Sequence, residues 1–173
     1  MAIQPFGNVP VEVIEALSED LEVFGMQMEI RNALSLPSDA FSPERGQYHA
    51  DPFMDMCGPV DGDRVLGVAA VDIYADTLNF VFGQAQVSGR VAVISIARLV
   101  DNDKVRFRDR VAKEAVHEIG HTLGLSHCRD SRCVMFFSNS LIDTDRKGRE
   151  YCRRCLDALP RALRPRRMSP GSC

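Results

Sequence analysis

Residues 115–135 read AVHEIGHTLGLSHCRDSRCVM and hold three of the four histidines and two of the six cysteines in the chain. On a helix of 3.6 residues per turn, Val111, Ala115, Val116, Ile119, Thr122 and Leu123 gather on an arc roughly 140° wide. His117 and His121 lie off that arc, about 40° apart, so the histidines are expected to face away from the core. Residues four apart sit one turn apart on one face, where two imidazoles can reach the same ion with Glu118 beside them.

Average composition gives an HExxH coincidence roughly once in two hundred chains of this length. Gly124 three residues beyond His121, and His127 three beyond that, lower the chance to roughly one in 10⁵. Gly124 is there for a physical reason, since a helix that must stop so that His127 can swing back needs a residue that enters the left-handed region cheaply. Three imidazoles on zinc leave the fourth tetrahedral position for water, as in catalytic rather than structural sites. Glu118, beside the ligands, is placed to take a proton from that water and return it to the leaving amine.

HEIGHTLGLSH followed by Met135 resembles the metzincin metallopeptidases. The resemblance implies His117, His121 and His127 as ligands of a catalytic zinc, Glu118 as general base and acid, and Met135 as the methionine of the turn beneath the histidines. Some metzincins carry a tyrosine two residues after that methionine. Here the position is Phe137, so oxyanion help must come from elsewhere; Tyr48, Tyr74 and Tyr151 are the tyrosines available.

Cys128 and Cys133 follow directly, and Cys152 and Cys155 complete two close pairs. Adjacent side chains usually diverge, so His127 and Cys128 are expected to serve different ions. Four thiolates in two pairs suit a closed structural zinc that clips a C-terminal part with little core of its own. With no export signal, metal ligation accounts for these cysteines better than a disulfide framework. A redox pair at Cys152 and Cys155 is the competing reading. Cys57 and Cys173 are left over, Cys57 as a small buried hydrophobe, and His49 is isolated.

The run from His117 to Cys155 looks like the archaemetzincins among the metzincins, although the spacer of sixteen residues between Met135 and Cys152 is about one short of the usual pattern. The resemblance implies a compact α/β fold: a twisted, mainly parallel sheet with an antiparallel edge strand, expected at residues 78–86, packed on helices. Such an edge binds an extended peptide by strand addition. It also implies two zinc ions per chain, one catalytic and one structural.

Outward from this centre, PVEVIEALSEDLEVF (10–24) reads as a helix with Val13, Ile14, Leu17, Leu21 and Phe24 on its buried face. MQMEIR (26–31) alternates like a half-buried strand. Residues 35–63 are loop-like, with one short helical segment around 42–57. RVLGVAAVDIYA, LNFVFGQAQ and RVAVISIARL are β-rich, the last two forming a hairpin across VSG. A helix runs from Val105 to about Leu123. The expected organisation is one catalytic domain, with a sheet-and-helix part at 1–124 and a C-terminal part at 125–173.

At 173 residues and 45% hydrophobic, the chain is long enough to bury a core without disulfides. Its net charge of −3, from 21 basic and 24 acidic residues, selects neither nucleic acid nor an anionic membrane. The N-terminus lacks a basic, apolar leader, and no run reaches the about 18 apolar residues of a membrane span. A monomeric cytoplasmic protein acting on peptide or protein substrates is expected. The basic tail, with Arg161, Arg164, Arg166 and Arg167, is expected to be solvated. Aminopeptidase-like action on short peptides is the first activity to expect, since an unrestrained cytoplasmic endopeptidase would be hazardous. The alternative is a non-catalytic two-zinc binding module.

Overall fold

A computed structural model of the chain describes residues 1–22, 25–58 and 64–159. Phe24, the basic tail and Cys173 lie outside the described residues. The elements are β1 (Ala2–Phe6), α1 (Val11–Glu22), β2 (Glu29–Ile30), β3 (Phe41–Ser42), β4 (Gln47–His49), α2 (Asp51–Met56) and β5 (Val65–Ala69). There follow β6 (Ile73–Ala75), β7 (Leu78–Val81), β8 (Gly83–Ala85), β9 (Val91–Ser95), α3 (Lys104–Thr122), α4 (Leu141–Arg146) and α5 (Arg153–Ala158).

The main sheet has the order β2-β1-β5-β9-β8, parallel except for β8, which runs antiparallel to β9 at the edge. β5 (VLGVA) and β9 (VAVIS) are buried throughout, as expected of parallel strands covered on both faces. Ile3, Leu66, Val68, Ala92 and Ile94 face α1 and α3, where Ile14, Leu17, Leu21, Val111, Ala115 and Ile119 complete the larger core. The other face packs Phe6, Val65, Ala69 and Val93 against Phe53 of α2 and Ile73 of a second sheet, ordered β3-β4-β6-β7.

The α/β class, the mainly parallel sheet, the long helix and the hairpin are as expected, but three details differ. AIQPF, given no element from sequence, is the fully buried strand β1. Its Pro5 is tolerated because the Pro5 carbonyl accepts from Leu34 N, so the bare nitrogen faces the same side, away from the β5 ladder. MQMEIR contributes only Glu29–Ile30, with Ile30 48% exposed, because Met26 and Met28 pack on the core outside any ladder. The edge is not residues 78–86. Leu78–Val81 pair with β6 in the second sheet, the chain bends at Phe82, which is buried, and only Gly83–Ala85 flank β9.

Among the described residues no helix is long and apolar enough to cross a membrane.

Candidate active site

α3 starts where Asp103 caps it, its carboxylate accepting from Val105 N at 2.9 Å and Arg106 N at 3.3 Å. It ends on Gly124 at φ +89°. Gly124 N donates to His121 O and Leu125 N to Gly120 O, the paired bonds of a Schellman cap. That cap aims the Leu125 carbonyl at His121 Nδ1, 2.8 Å away, so the turn that redirects the chain toward His127 also orients His121.

The histidine face is not outside the core. His117 is 4% and Glu118 5% exposed, and Arg110, Lys113 and Glu114 are buried with them. Their cover comes from residues distant in sequence, so a helical wheel does not register it. His117 Nδ1 donates to Val134 O at 2.7 Å, and Tyr151 donates through its hydroxyl to Val116 O at 2.8 Å. Met135 is fully buried against α3, where a Cβ on Gly120 would run into its sulfur. Cys128 N donates to Met135 O, tying the segment after His127 to the same turn.

The three imidazoles converge. His121 Nε2 lies 3.1 Å from His117 Nε2 and 3.2 Å from His127 Nε2. Carbonyl oxygens only accept, so the Nδ1 atoms of His117 and His121 carry the protons and their Nε2 atoms present lone pairs to each other. Facing lone pairs repel unless a cation lies between them. Around a tetrahedral zinc with bonds of about 2.0–2.1 Å, nitrogens are about 3.3 Å apart, which these separations match. Phe137 sets its ring 4.7 Å from His127, so the position that holds tyrosine in some metzincins here flanks a histidine.

The cysteines form a separate group. Cys128 and Cys152 sulfurs are 3.7 Å apart, as are those of Cys133 and Cys155, and all four Sγ atoms lie within 4.8 Å of one another. Sulfurs on a tetrahedral zinc with bonds of about 2.3 Å sit about 3.8 Å apart. Backbone N–H groups point at two of them, Asp130 N at Cys128 and Cys152 N at Cys133. The short spacer, which carries α4, still closes the set. Cys57 is buried apart from both groups, with its thiol pushed up to about 12 by burial against the opposing pull of Arg31.

A cavity of about 440 Å³ opens over the histidines, bounded by Phe80, Phe82 and β8 on one side and Phe137 to Asn139 on the other. None of the three tyrosines lines it. Glu114 and Glu118, one turn apart, both do. Sequence reading passed over Glu114, although its four-residue spacing from Glu118 was visible. Lys147, fully buried, sets its ammonium 3.0 Å from Glu114 Oε1, at ion-pair distance without hydrogen-bond alignment, and Thr144 donates to the same oxygen at 2.9 Å. Burial, then the neighbouring charge of Glu114, pushes the Glu118 carboxyl up to about 8, while Lys147 pulls the other way. A dication on the adjacent imidazoles would add to that pull. Burial, reinforced by Lys147, holds His117 well below the ordinary imidazole value; burial likewise lowers His121 and His127.

The chain is similar to known proteins over most of its length. The family profile described as peptidase family M54 matches residues 11–161. The archaemetzincin of Methanocaldococcus jannaschii is 46% identical over 166 residues, covering 92% of this chain and 92% of the relative. That of Methanopyrus kandleri is 44% identical over 163 residues, covering 91% of this chain and 93% of the relative. The crystal structure of the Archaeoglobus fulgidus archaemetzincin complexed with malonate superposes with a TM-score of 0.85 at 41% identity, over 90% of this chain and 97% of that one. On that coverage, and with a histidine and a cysteine group each shaped for zinc, the chain belongs to peptidase family M54, the archaemetzincins, and is a zinc metallopeptidase.

Proposed function

We propose that His117, His121 and His127 hold the catalytic zinc, that Cys128, Cys133, Cys152 and Cys155 hold a second, structural zinc, and that Glu118 is the general base and acid. The observation that carries this reading is the convergence of three Nε2 atoms, two with tautomers fixed by carbonyls, beside a buried carboxylate. The catalytic ion, when bound, supplies Lewis acidity to the attacking water and the scissile carbonyl. Glu118 accepts the proton of the attacking water at a carboxylate oxygen and delivers it to the departing amide nitrogen. The Val134 and Leu125 carbonyls hold the His117 and His121 rings in register. β8 offers its outer edge to an extended peptide, whose backbone it pairs with while side chains enter the aromatic-walled cavity. The division near Gly124 is part of the proposal: the sheet-and-helix part carries Glu118, and the cysteine-clipped part from residue 125 supplies His127 and Met135.

Short peptides with a free amino terminus are the proposed substrates. Zinc-loaded protein is expected to release residues from the ends of a peptide library and to lose that activity when the same peptides are N-acetylated, as read by mass spectrometry. Internal cleavage of both sets at equal rate would replace the aminopeptidase reading with an endopeptidase one.

Protons and zinc compete for the same Nε2 atoms. Unfolded histidines take protons as pH falls through about 6.5. The folded site, its imidazoles held lower by burial, resists to more acid pH. The histidines' contribution to the stability of the metal-free protein is therefore expected to fall as pH drops below about 6.5. Zinc release from the histidines should set in only below that pH, as protons reach the folded imidazoles. Dialysis followed by metal analysis reads it; full retention at pH of about 4 would contradict a histidine-only site.

A further inference from the structure

We propose that Gly83, on the edge strand, is the positioning residue for Glu118: the side chain it lacks is the space in which the carboxylate lies. This rests on the catalytic reading of Glu118 given above. A Cβ on Gly83 would stand 2.6 Å from Glu118 Cγ and 2.8 Å from its Oε1, well inside contact distance. Neither side can give way cheaply. Gly83 pairs with Ile94 and its neighbour Gln84 with Val93, on a β9 that is itself locked to β5, so β8 cannot recede without breaking its only ladder among the described residues. The same Cβ would also stand 2.8 Å from the Val93 carbonyl oxygen, which is main chain and fixed. Glu118 in turn springs from the buried C-terminal half of α3.

Only the charges of Lys147 and Glu114 act on the carboxylate at a distance. Among the described residues no hydrogen bond reaches either Glu118 oxygen, in contrast to Glu114, which is held by Thr144 and Lys147. Packing against the bare backbone of Gly83 therefore selects the rotamer, and proton transfer tolerates little displacement, since a misplacement of about 1 Å costs on the order of 10²-fold in rate. The glycine brings the proton acceptor and the peptide-binding edge into direct contact, so the strand that would hold the substrate also aims the base.

The test is Gly83→Ala, alone and combined with Glu118→Ala. In zinc-loaded protein the single variant is expected to keep its zinc, to lose about 10²-fold in kcat, and to hold KM within about threefold. Metal-free protein gives a readout independent of turnover. Gly83→Ala should lower the unfolding midpoint at least about 3 °C more when residue 118 is Glu than when it has been changed to Ala. The clash with the Val93 carbonyl is common to both backgrounds and cancels in that difference. Folding of Gly83→Ala only in the Glu118→Ala background would show the same coupling outright. Equal midpoint losses in both backgrounds, failure to fold in both, or a rise in KM with kcat unchanged would overturn the proposal. Full activity of Glu118→Gln would remove the catalytic reading while leaving the midpoint coupling intact, so the two failures are distinguishable.

Discussion

Replacing Glu118 with Gln is expected to lower kcat for peptide hydrolysis by about 10²–10⁴-fold, the range in which a general acid–base group contributes. The amide keeps the volume that packs on Gly83, so shape is preserved and only the proton acceptor is removed. Zinc content should not change, because backbone carbonyls and not Glu118 set the tautomers of His117 and His121. Stability should respond to pH in a defined direction. The Glu118 carboxyl of the metal-free fold is pushed up to about 8, so the folded state holds a proton that the unfolded chain has released. Stability from this group is full below about 4.5 and is lost as pH rises toward about 8, and the Gln variant should lack that slope. Denaturant titrations of both metal-free proteins across this window measure it. Cleavage by the Gln variant at the wild-type rate would remove Glu118 from the chemistry.

Changing Cys155 to Ser is expected to do more damage to the fold than any change at the histidines. Its sulfur pairs with that of Cys133, and between the cysteines of the first and last pairs run Val134, Met135 and Tyr151, the residues that cover His117, Gly120 and Val116. A structural zinc contributes folding free energy outright. Its loss from a chain of this size should lower the unfolding midpoint by about 10 °C or more and abolish activity indirectly, by unseating the cover of α3. His127→Ala supplies the contrast: His127 is exposed, so its removal should abolish activity and release one zinc while leaving the midpoint of the metal-free protein nearly unchanged. Differential scanning calorimetry with metal analysis on both variants checks the pair. An unchanged midpoint and two retained zinc ions in Cys155→Ser would show that the cysteines clip nothing.

What could be read from sequence was what depends on local period. The helix bearing His117 and His121, the glycine stop at Gly124 and the hairpin across Val87 to Gly89 each follow from spacings within one element. Misreadings arose wherever long-range contact decided the outcome. β1 was hidden because Gln4 and Pro5 interrupt its apolar run; Gln4 is buried with its amide donating to Asn32 O and Pro5 O, and Pro5 is admitted by the side it presents. The split at Phe82 left no mark in an unbroken β-rich run, since burial of one aromatic ring in the main core turns the chain. The face of α3 that carries the histidines is expected from sequence to point away from the core because it lies off the apolar arc of the helix. Lys113 reaches the Thr144 and Asp145 carbonyls, and Glu114 meets Lys147 and Thr144, partners some thirty residues away with no shared motif. Gly83 belongs to the same class: it is an ordinary glycine in a strand until α3 lays Glu118 against it.

One peptide bond, His127 to Cys128, divides the residues proposed to hold a catalytic zinc from those proposed to hold a structural one. Stepwise removal of metal with a chelator, following zinc per chain, peptide cleavage and circular dichroism together, tests it most directly. Two zinc ions per chain are expected at the start. The first should leave with all of the activity and little change in the spectrum, and the second only as the fold is lost. A protein that begins with one tightly held zinc, or that still cleaves peptides after the first zinc has gone, would rule out this division between a catalytic and a structural ion.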